Sequence, residues 1–260
     1  MFGKLLKYEF KSLGKWYLSL YAIVTLLSVV IGIWIRSLVA RQESTPELSE
    51  AEGWLFGIVL FAFALVIAGL MISTFLVVVR RFYMNIYSRQ GYLTMTLPVT
   101  SHQIILSKFV AALIWYTFSG LMVLLAGFII AGLGIPSYVL AEAMKELHTV
   151  IESADFSYLL QFFLSSLISS ISGIFLMYLA ISLGQLFKDH RVLMAVVFYI
   201  GINFAIGVFE TISLFSITPV MLDAYSSYNP FPFTMGLHLI LIPIFYFGTH
   251  YIMTKKLNLQ

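Results

Sequence analysis

Six long apolar runs, separated by short polar stretches, organise this chain of 260 residues. A helix needs about 20 residues to cross a hydrocarbon core, and the runs at 17–39, 54–79, 109–134, 158–187, 192–214 and 233–253 all reach that length. Only Lys188-Asp189-His190-Arg191 separates the fourth run from the fifth, which predicts a tight helical hairpin. Ahead of the first run, Lys4, Lys7, Lys11 and Lys15 recur at helical spacing, with Phe2, Leu5, Leu6, Phe10 and Leu13 on the apolar side. That pattern predicts an amphipathic helix over 1–16 lying on the membrane surface, its lysines anchoring it to anionic lipid. A cleaved signal peptide would begin in the same way. The apolar run that follows is longer than a typical signal core and carries Arg36 near its end, so 17–39 is read as a retained span.

Composition sharpens this picture. Sixty per cent apolar residues, 10% charged residues and a mean hydropathy of +0.96 exclude an ordinary soluble domain, which carries about a quarter charged residues. The expected fold is an all-α integral membrane protein, one transmembrane domain over 1–260 with six spans. Cysteine is absent, which removes disulfides, thiolate metal sites and cysteine nucleophiles. The basic residues flank apolar spans, so anionic lipid and topology account for them and nucleic acid is not an expected partner. With both termini in the cytoplasm, Lys4, Lys7, Lys11, Lys15, Arg80, Arg81, Arg89, Lys108, Lys188, Arg191, Lys255 and Lys256 all fall inside. Only Arg36, Arg41 and Lys145 fall outside, together with most of the acidic residues. The positive-inside rule therefore predicts cytoplasmic termini.

The spans offer little chemistry. Glu210, His238 and His250 are the ionisable residues in the last three. Glu210 lies roughly 27 Å along its helix from Val192, near the outer interface, which favours a solvated end residue over a functional buried carboxylate. His238 and His250 sit near opposite ends of the last span. Asn203, Gln161 and Gln185 are uncharged and suited to hydrogen bonds between helices. Ser165, Ser169 and Gly173 share a face, a small-residue pattern for close helix approach within the chain or across a dimer seam. Pro243 predicts a kink in the last span. Residues 135–157 read as an outer connection with a surface helix lying against the spans, Val139, Ala143, Leu147, Val150 and Ile151 on one side. A third outer stretch, from Ile217 to Phe233, is rich in proline and aromatics and cannot be one regular helix. The two halves show no repeat, which gives an inverted-repeat carrier little support. Gly14-Lys15 has Glu9 where a phosphate-binding loop needs glycine, so there is no Walker A motif. The five histidines are scattered, with no metal-ligand spacing, and no catalytic constellation is present. The chain reads as a non-enzyme without a metal or cofactor of its own.

One polar stretch stands apart. Residues 80–108 carry Arg80, Arg81, Arg89 and Lys108 and no acidic residue. Phe82, Tyr83, Ile86 and Tyr87 recur at helical spacing, so the second helix should continue past the span with an aromatic stripe. Gly91 can break it, and Tyr92, Leu93, Met95 and Leu97 then place apolar side chains on an element outside the membrane. Pro98 stops that element, and Thr100 or Ser101 caps the helix that leads into the third span. A short apolar element of this kind either packs on its own protein or enters a partner's groove.

The segment FYMNIYSRQGYLTMTLPVTSHQIILSK resembles the cytoplasmic loop of permease subunits of bacterial ATP-binding-cassette transporters, in the type-2 exporter class. In that family a basic, aromatic helix end is followed by GYLT-x-TLPV-[ST] and a helix ending in SK. The start, KLLKYEFKSLGKW, is similar to their N-terminal interfacial helix. The resemblance covers most of the chain as topology and the central loop alone at residue level. It implies a multi-pass protein of the bacterial cell membrane working with a second permease chain, identical or different. A separate ATPase subunit carrying ATP and Mg would dock on the loop. The coupling element would span about 88–100, with Arg89, Gly91, Tyr92, Leu93, Met95, Leu97 and Pro98 at the contact. Export of an amphipathic or apolar substrate is the implied activity. Two other classes stay open, an ion-coupled secondary carrier built on Glu210 and a non-transporting scaffold or sensor subunit.

Overall fold

The structure, a computed structural model, describes residues 2–42, 50–88, 91, 98–153, 156–221 and 231–256. Among them every regular element is a helix: α1 (Phe2–Gln42), α2 (Glu50–Ile86), α3 (Ser101–Gly134), α4 (Ser137–Ser153), α5 (Phe156–Gly184), α6 (Arg191–Met221) and α7 (Phe231–Lys255). All but α4 are long and apolar enough to cross a membrane, as the apolar runs require. In lipid every backbone amide and carbonyl must find a partner inside its own segment, and the helix does this without help from neighbours.

Several boundaries differ from the sequence reading. Residues 1–16 and the first span form one unbroken helix of 41 residues instead of a surface helix and a separate span. At 1.5 Å per residue α1 is about 60 Å long, twice the hydrocarbon thickness, so a large part of it extends beyond any single crossing. Lys4, Lys7, Lys11 and Lys15 are all exposed, whereas Leu13 and Tyr17 are buried in the protein. From Phe10 onward the apolar residues Phe10, Leu13 and Tyr17 pack on Trp115 of α3. The fourth span ends at Gly184, three residues before its expected end, and α6 begins at Arg191. The hairpin therefore spans 185–190, with His190 in the left-handed region at φ 57°. Helix α6 runs to Met221, beyond the expected end at 214, and Pro243 lies inside α7. Most of the third outer stretch lies outside the described residues. Helix α4 is present, with Val139, Leu147 and Ile151 on its apolar side exposed.

The contacts divide the chain into two compact units. The first comprises Leu6–Val77 and Ile114–Ser153. Its core sets Leu13 and Tyr17 of α1 against Trp115 of α3, the Tyr17 and Trp115 rings stacked at 4.2 Å, with a second cluster of Val24, Leu70 and Ala126. A run of hydroxyls joins its three long helices. Thr74 donates to the Leu70 carbonyl, so its oxygen accepts from Ser119 at 3.1 Å, and Ser119 in turn accepts from Tyr21 at 3.1 Å. Each hydroxyl has one proton to give, which fixes the direction of the chain.

The second unit comprises Met1–Leu5, Val78–Leu113 and Ala154–Gln260. Here α5 is central and packs most extensively on α7, then on α6. In the most apolar window of α5, 61% of residues are buried, against none in α6 and 6% in α7. The outward faces of α6 and α7 are thus left to lipid or to another chain.

Candidate coupling site

The polar stretch at 80–108 is held at both shoulders by later helices. On the first shoulder, the last turns of α2 bury Phe82 and Ile86 completely. The Phe82 ring stacks on Tyr178 of α5 at 3.9 Å and 7°. One turn on, the Tyr87 hydroxyl donates to Ser182 Oγ at 2.7 Å, and Ser182 donates to the Tyr178 carbonyl at 2.8 Å. Burial pushes the Tyr87 phenol up to about 12, against the lowering pull of its bond to Ser182. Ser88 Oγ closes back on the Met84 carbonyl. Phe82, Ile86 and Tyr87 of the stripe expected from the spacing therefore pack on their own protein.

On the second shoulder, Thr100 caps α3 reciprocally with Gln103: Thr100 Oγ1 accepts from the Gln103 amide at 3.3 Å, and Gln103 Oε1 accepts from the Thr100 amide at 3.4 Å. This is the capping box of a Thr-x-x-Gln sequence, and it selects Thr100 over Ser101 as the cap. Ile104 and Ile105 follow, buried. His102 Nδ1 is hydrogen-bonded to the Tyr246 hydroxyl, and its ring stacks on His250 at 4.0 Å, both partners on α7. Phe109 stacks on Phe175 of α5 at 4.5 Å. Lys108, one of the four basic residues of the stretch, is buried.

Between the shoulders, Gly91 is buried and donates its amide to the Ser88 carbonyl at 2.7 Å. A Cβ at Gly91 would run into the Ile86 carbonyl, so only glycine lets the chain turn this closely under α2. Pro98 is exposed. Arg89, Tyr92, Leu93, Met95 and Leu97 lie outside the described residues.

The other residues singled out by sequence fall elsewhere. Ser165 is buried, with its hydroxyl on the Phe162 carbonyl of its own helix. Gly173 has nothing within 4 Å of an added Cβ, so within this chain it is not a point of close approach. That role belongs to Gly184, where a Cβ would meet the Arg191 carbonyl at 2.6 Å and Ala195 at 2.8 Å. Asn203 donates to the Tyr199 carbonyl at 2.9 Å, a bond within α6, not between helices. Glu210 has a partner that sequence reading missed: its Oε1 lies 3.3 Å from Nε2 of His238 on α7. The antiparallel run of the last two spans could have suggested it, since both residues lie within a few turns of the α6–α7 connection. No three histidine, aspartate or glutamate side chains converge as a metal site among the described residues. Compared with family models, curated proteins and solved structures, the chain matches none of them.

Proposed function

We propose that this chain is the transmembrane permease subunit of an ATP-binding-cassette transporter of the type-2 exporter class, set in a bacterial cell membrane with both termini in the cytoplasm. A separate ATPase, holding ATP and Mg, docks on the loop around 88–100, and a second permease chain completes the pathway. The cargo is amphipathic or apolar, since the spans are rich in aromatics and poor in charge. The observation that carries the reading is the clamping of both loop shoulders: Phe82 and Tyr87 grip α5, and His102 grips α7. A loop that receives a push from an ATPase must be rigidly joined to the spans it moves. The GYLTMTLPVT sequence between the shoulders supplies the family resemblance, and the positive-inside asymmetry supplies the orientation.

The test is a mild-detergent pull-down of the tagged chain from native membranes, with mass spectrometry of what co-purifies. Recovery of a Walker-A ATPase, lost when Tyr92 and Leu97 are both changed to aspartate, is the expected result. Purification of the chain alone in every detergent overturns it. The Glu210–His238 contact favours an ion-coupled carrier as the second reading, because a paired carboxylate and imidazole can carry a proton. Transport that collapses with the proton gradient, persists without ATP and is lost in Glu210→Gln would select it.

A further inference from the structure

Helix α4 separates its residue types almost completely. At about 100° per residue, Val139, Leu140, Ala143, Met144, Leu147 and Ile151 fall within an arc of about 140°. The charged residues Glu142, Lys145, Glu146 and Glu152 all fall outside it, where His148 also pairs with Glu152 at 3.4 Å. The apolar side is open: Val139, Met144, Leu147 and Ile151 are each 40–52% exposed. Four large apolar side chains on one face of one helix form a patch that calls for a covering partner.

The chain places this face at the membrane surface. Gly134, the last residue of α3, lies so close to α1 that an added Cβ would meet the Ile35 side chain at 2.9 Å and the Gly32 carbonyl at 3.1 Å. The end of α3 is therefore level with the neighbourhood of Arg36 on α1, which is exposed. An arginine on a span seeks the headgroup region, because a charge in hydrocarbon is costly. Helix α3 leaves the membrane at that level, and Ile135 and Pro136 alone separate it from α4. At the other end two residues separate Ser153 from α5, and Tyr158 in the first turn of α5 is exposed, a residue type that gathers at headgroup level. Held by a span at each end, α4 is confined to the surface.

We propose that α4 docks its apolar face into the lipid of the leaflet where α3 ends, lying in the plane of the headgroup–acyl boundary, and that the lipid it fits is zwitterionic. A surface helix sinks its apolar face about 5–10 Å into that boundary. Helices that bind anionic lipid carry a basic polar face, whereas here three carboxylates stand against one lysine. Attraction to an anionic surface therefore contributes nothing, and the apolar contact and the two chain connections hold the helix down. Expected against the spans, the helix instead presents this side to lipid. The docking needs only that the spans cross a membrane, and it does not depend on an ATPase.

The chain has no cysteine, so single cysteines can carry spin labels without removing a native one. Met144→Cys, Leu147→Cys and Ile151→Cys report on the apolar face, and Lys145→Cys and Thr149→Cys on the polar face. All five positions are exposed, which spares the core, and size-exclusion profiles confirm that each variant is folded. The full-length protein is placed in phosphatidylcholine nanodiscs and power saturation is measured with oxygen, which concentrates in lipid, and with a water-soluble nickel chelate. The expected result is an oxygen-to-nickel collision ratio at least about threefold higher at 144, 147 and 151 than at 145 and 149. The pattern should persist when part of the lipid is phosphatidylglycerol and when salt is raised. Equal nickel access on both faces overturns the proposal, because the helix is then in water. Shielding of the apolar positions from both reagents also overturns it, since a second copy or another protein then covers the face. Deeper insertion with phosphatidylglycerol, reversed by salt, overturns the choice of zwitterionic lipid. The pull-down described above is unaffected by any of these results, so the two readings fail separately.

Discussion

Gly184 should tolerate alanine far less well than Gly173, although both lie on α5 and the chemical change is identical. At Gly173 the added methyl meets nothing within 4 Å. The substitution there removes only the entropic cost of glycine in a helix, a gain of roughly 0.5–1 kcal/mol. At Gly184 the same methyl would stand 2.6 Å from the Arg191 carbonyl oxygen and 2.8 Å from both the Cβ and the amide nitrogen of Ala195. Two of those three atoms are backbone, so no side-chain rotation relieves the overlap, and the start of α6 must move away from α5. Overpacking of this kind costs about 1–3 kcal/mol, which sets the difference between the two variants at roughly that size. With about 2–4 °C of melting temperature per kcal/mol for a chain of this length, Gly184→Ala should melt roughly 2–12 °C below Gly173→Ala. Gly248→Ala serves as an internal scale, because its methyl would meet only the Leu179 side chain, Cδ1 nearest at 2.9 Å, and that terminal methyl can swing aside. The assay is heating in detergent with recovery of monodisperse protein as the readout. Equal melting of the Gly184 and Gly173 variants, or the reverse order, would refute the close α5–α6 approach.

Further perturbations test the shoulders and turns. Phe82→Ala removes a fully buried ring stacked on Tyr178 and should cost about 3–5 kcal/mol, read as lowered thermal stability with helix content retained. The Tyr87 phenol is neutral in both folded and unfolded chains below about pH 10. Between about 10 and 12 the unfolded phenol ionises first, so stability falls by about 2–3 kcal/mol across that window. Alkaline unfolding of Tyr87→Phe should lack this share of the decline, and identical pH slopes would refute the buried phenol. His190 holds a left-handed backbone, so His190→Gly should stabilise by up to about 1 kcal/mol, whereas a β-branched His190→Val should destabilise by about 1–2 kcal/mol. Pro243→Ala restores a backbone donor inside α7 and should raise the melting temperature, since an interior proline costs about 3 kcal/mol. A fall instead would mean that the helix is shaped around the proline.

The spans were legible because length and hydropathy alone decide whether a helix can cross a membrane, and all six runs are helices in the structure. Thr100 was legible as a cap because the capping box is local, needing only Gln103 three residues on. The helical spacing of Phe82, Tyr83, Ile86 and Tyr87 gave the stripe but not its use, since nothing local says that Tyr178 and Ser182 lie opposite. The division of α1 was overread: four lysines at helical spacing mark an exposed face, but they do not require a break at residue 16. Ser165, Ser169 and Gly173 fit the small-residue pattern, yet the contact forms at Gly184 and Gly248, which the pattern did not single out. Small residues permit approach and do not determine where it occurs. Glu210, expected near the end of its helix, lies about two-thirds along α6, which runs on to Met221. Its partnership with His238 depends on the register of α6 against α7, which no periodicity within either helix encodes.

Within the second unit, α7 connects the two places where chemistry concentrates. Tyr246 and His250 receive the second shoulder of the loop, while Leu237 and Leu241 line an apolar groove of about 440 Å³ against α6, and His238 meets Glu210. His238 and His250 are about 18 Å apart along one helix, at 1.5 Å per residue. Pro243 lies between them and removes the one backbone bond that would tie it to Leu239. A displacement applied at His102 would therefore enter α7 on one side of a softened turn and reach the groove on the other. Helix α5 has the most buried apolar window of the spans and is gripped by Phe82 and Tyr87. If the loop is driven from outside, the arrangement favours α7 moving against α5 over both moving together. Such movement would change the width of the α6–α7 groove without breaking the stacked core of Phe82 and Tyr178.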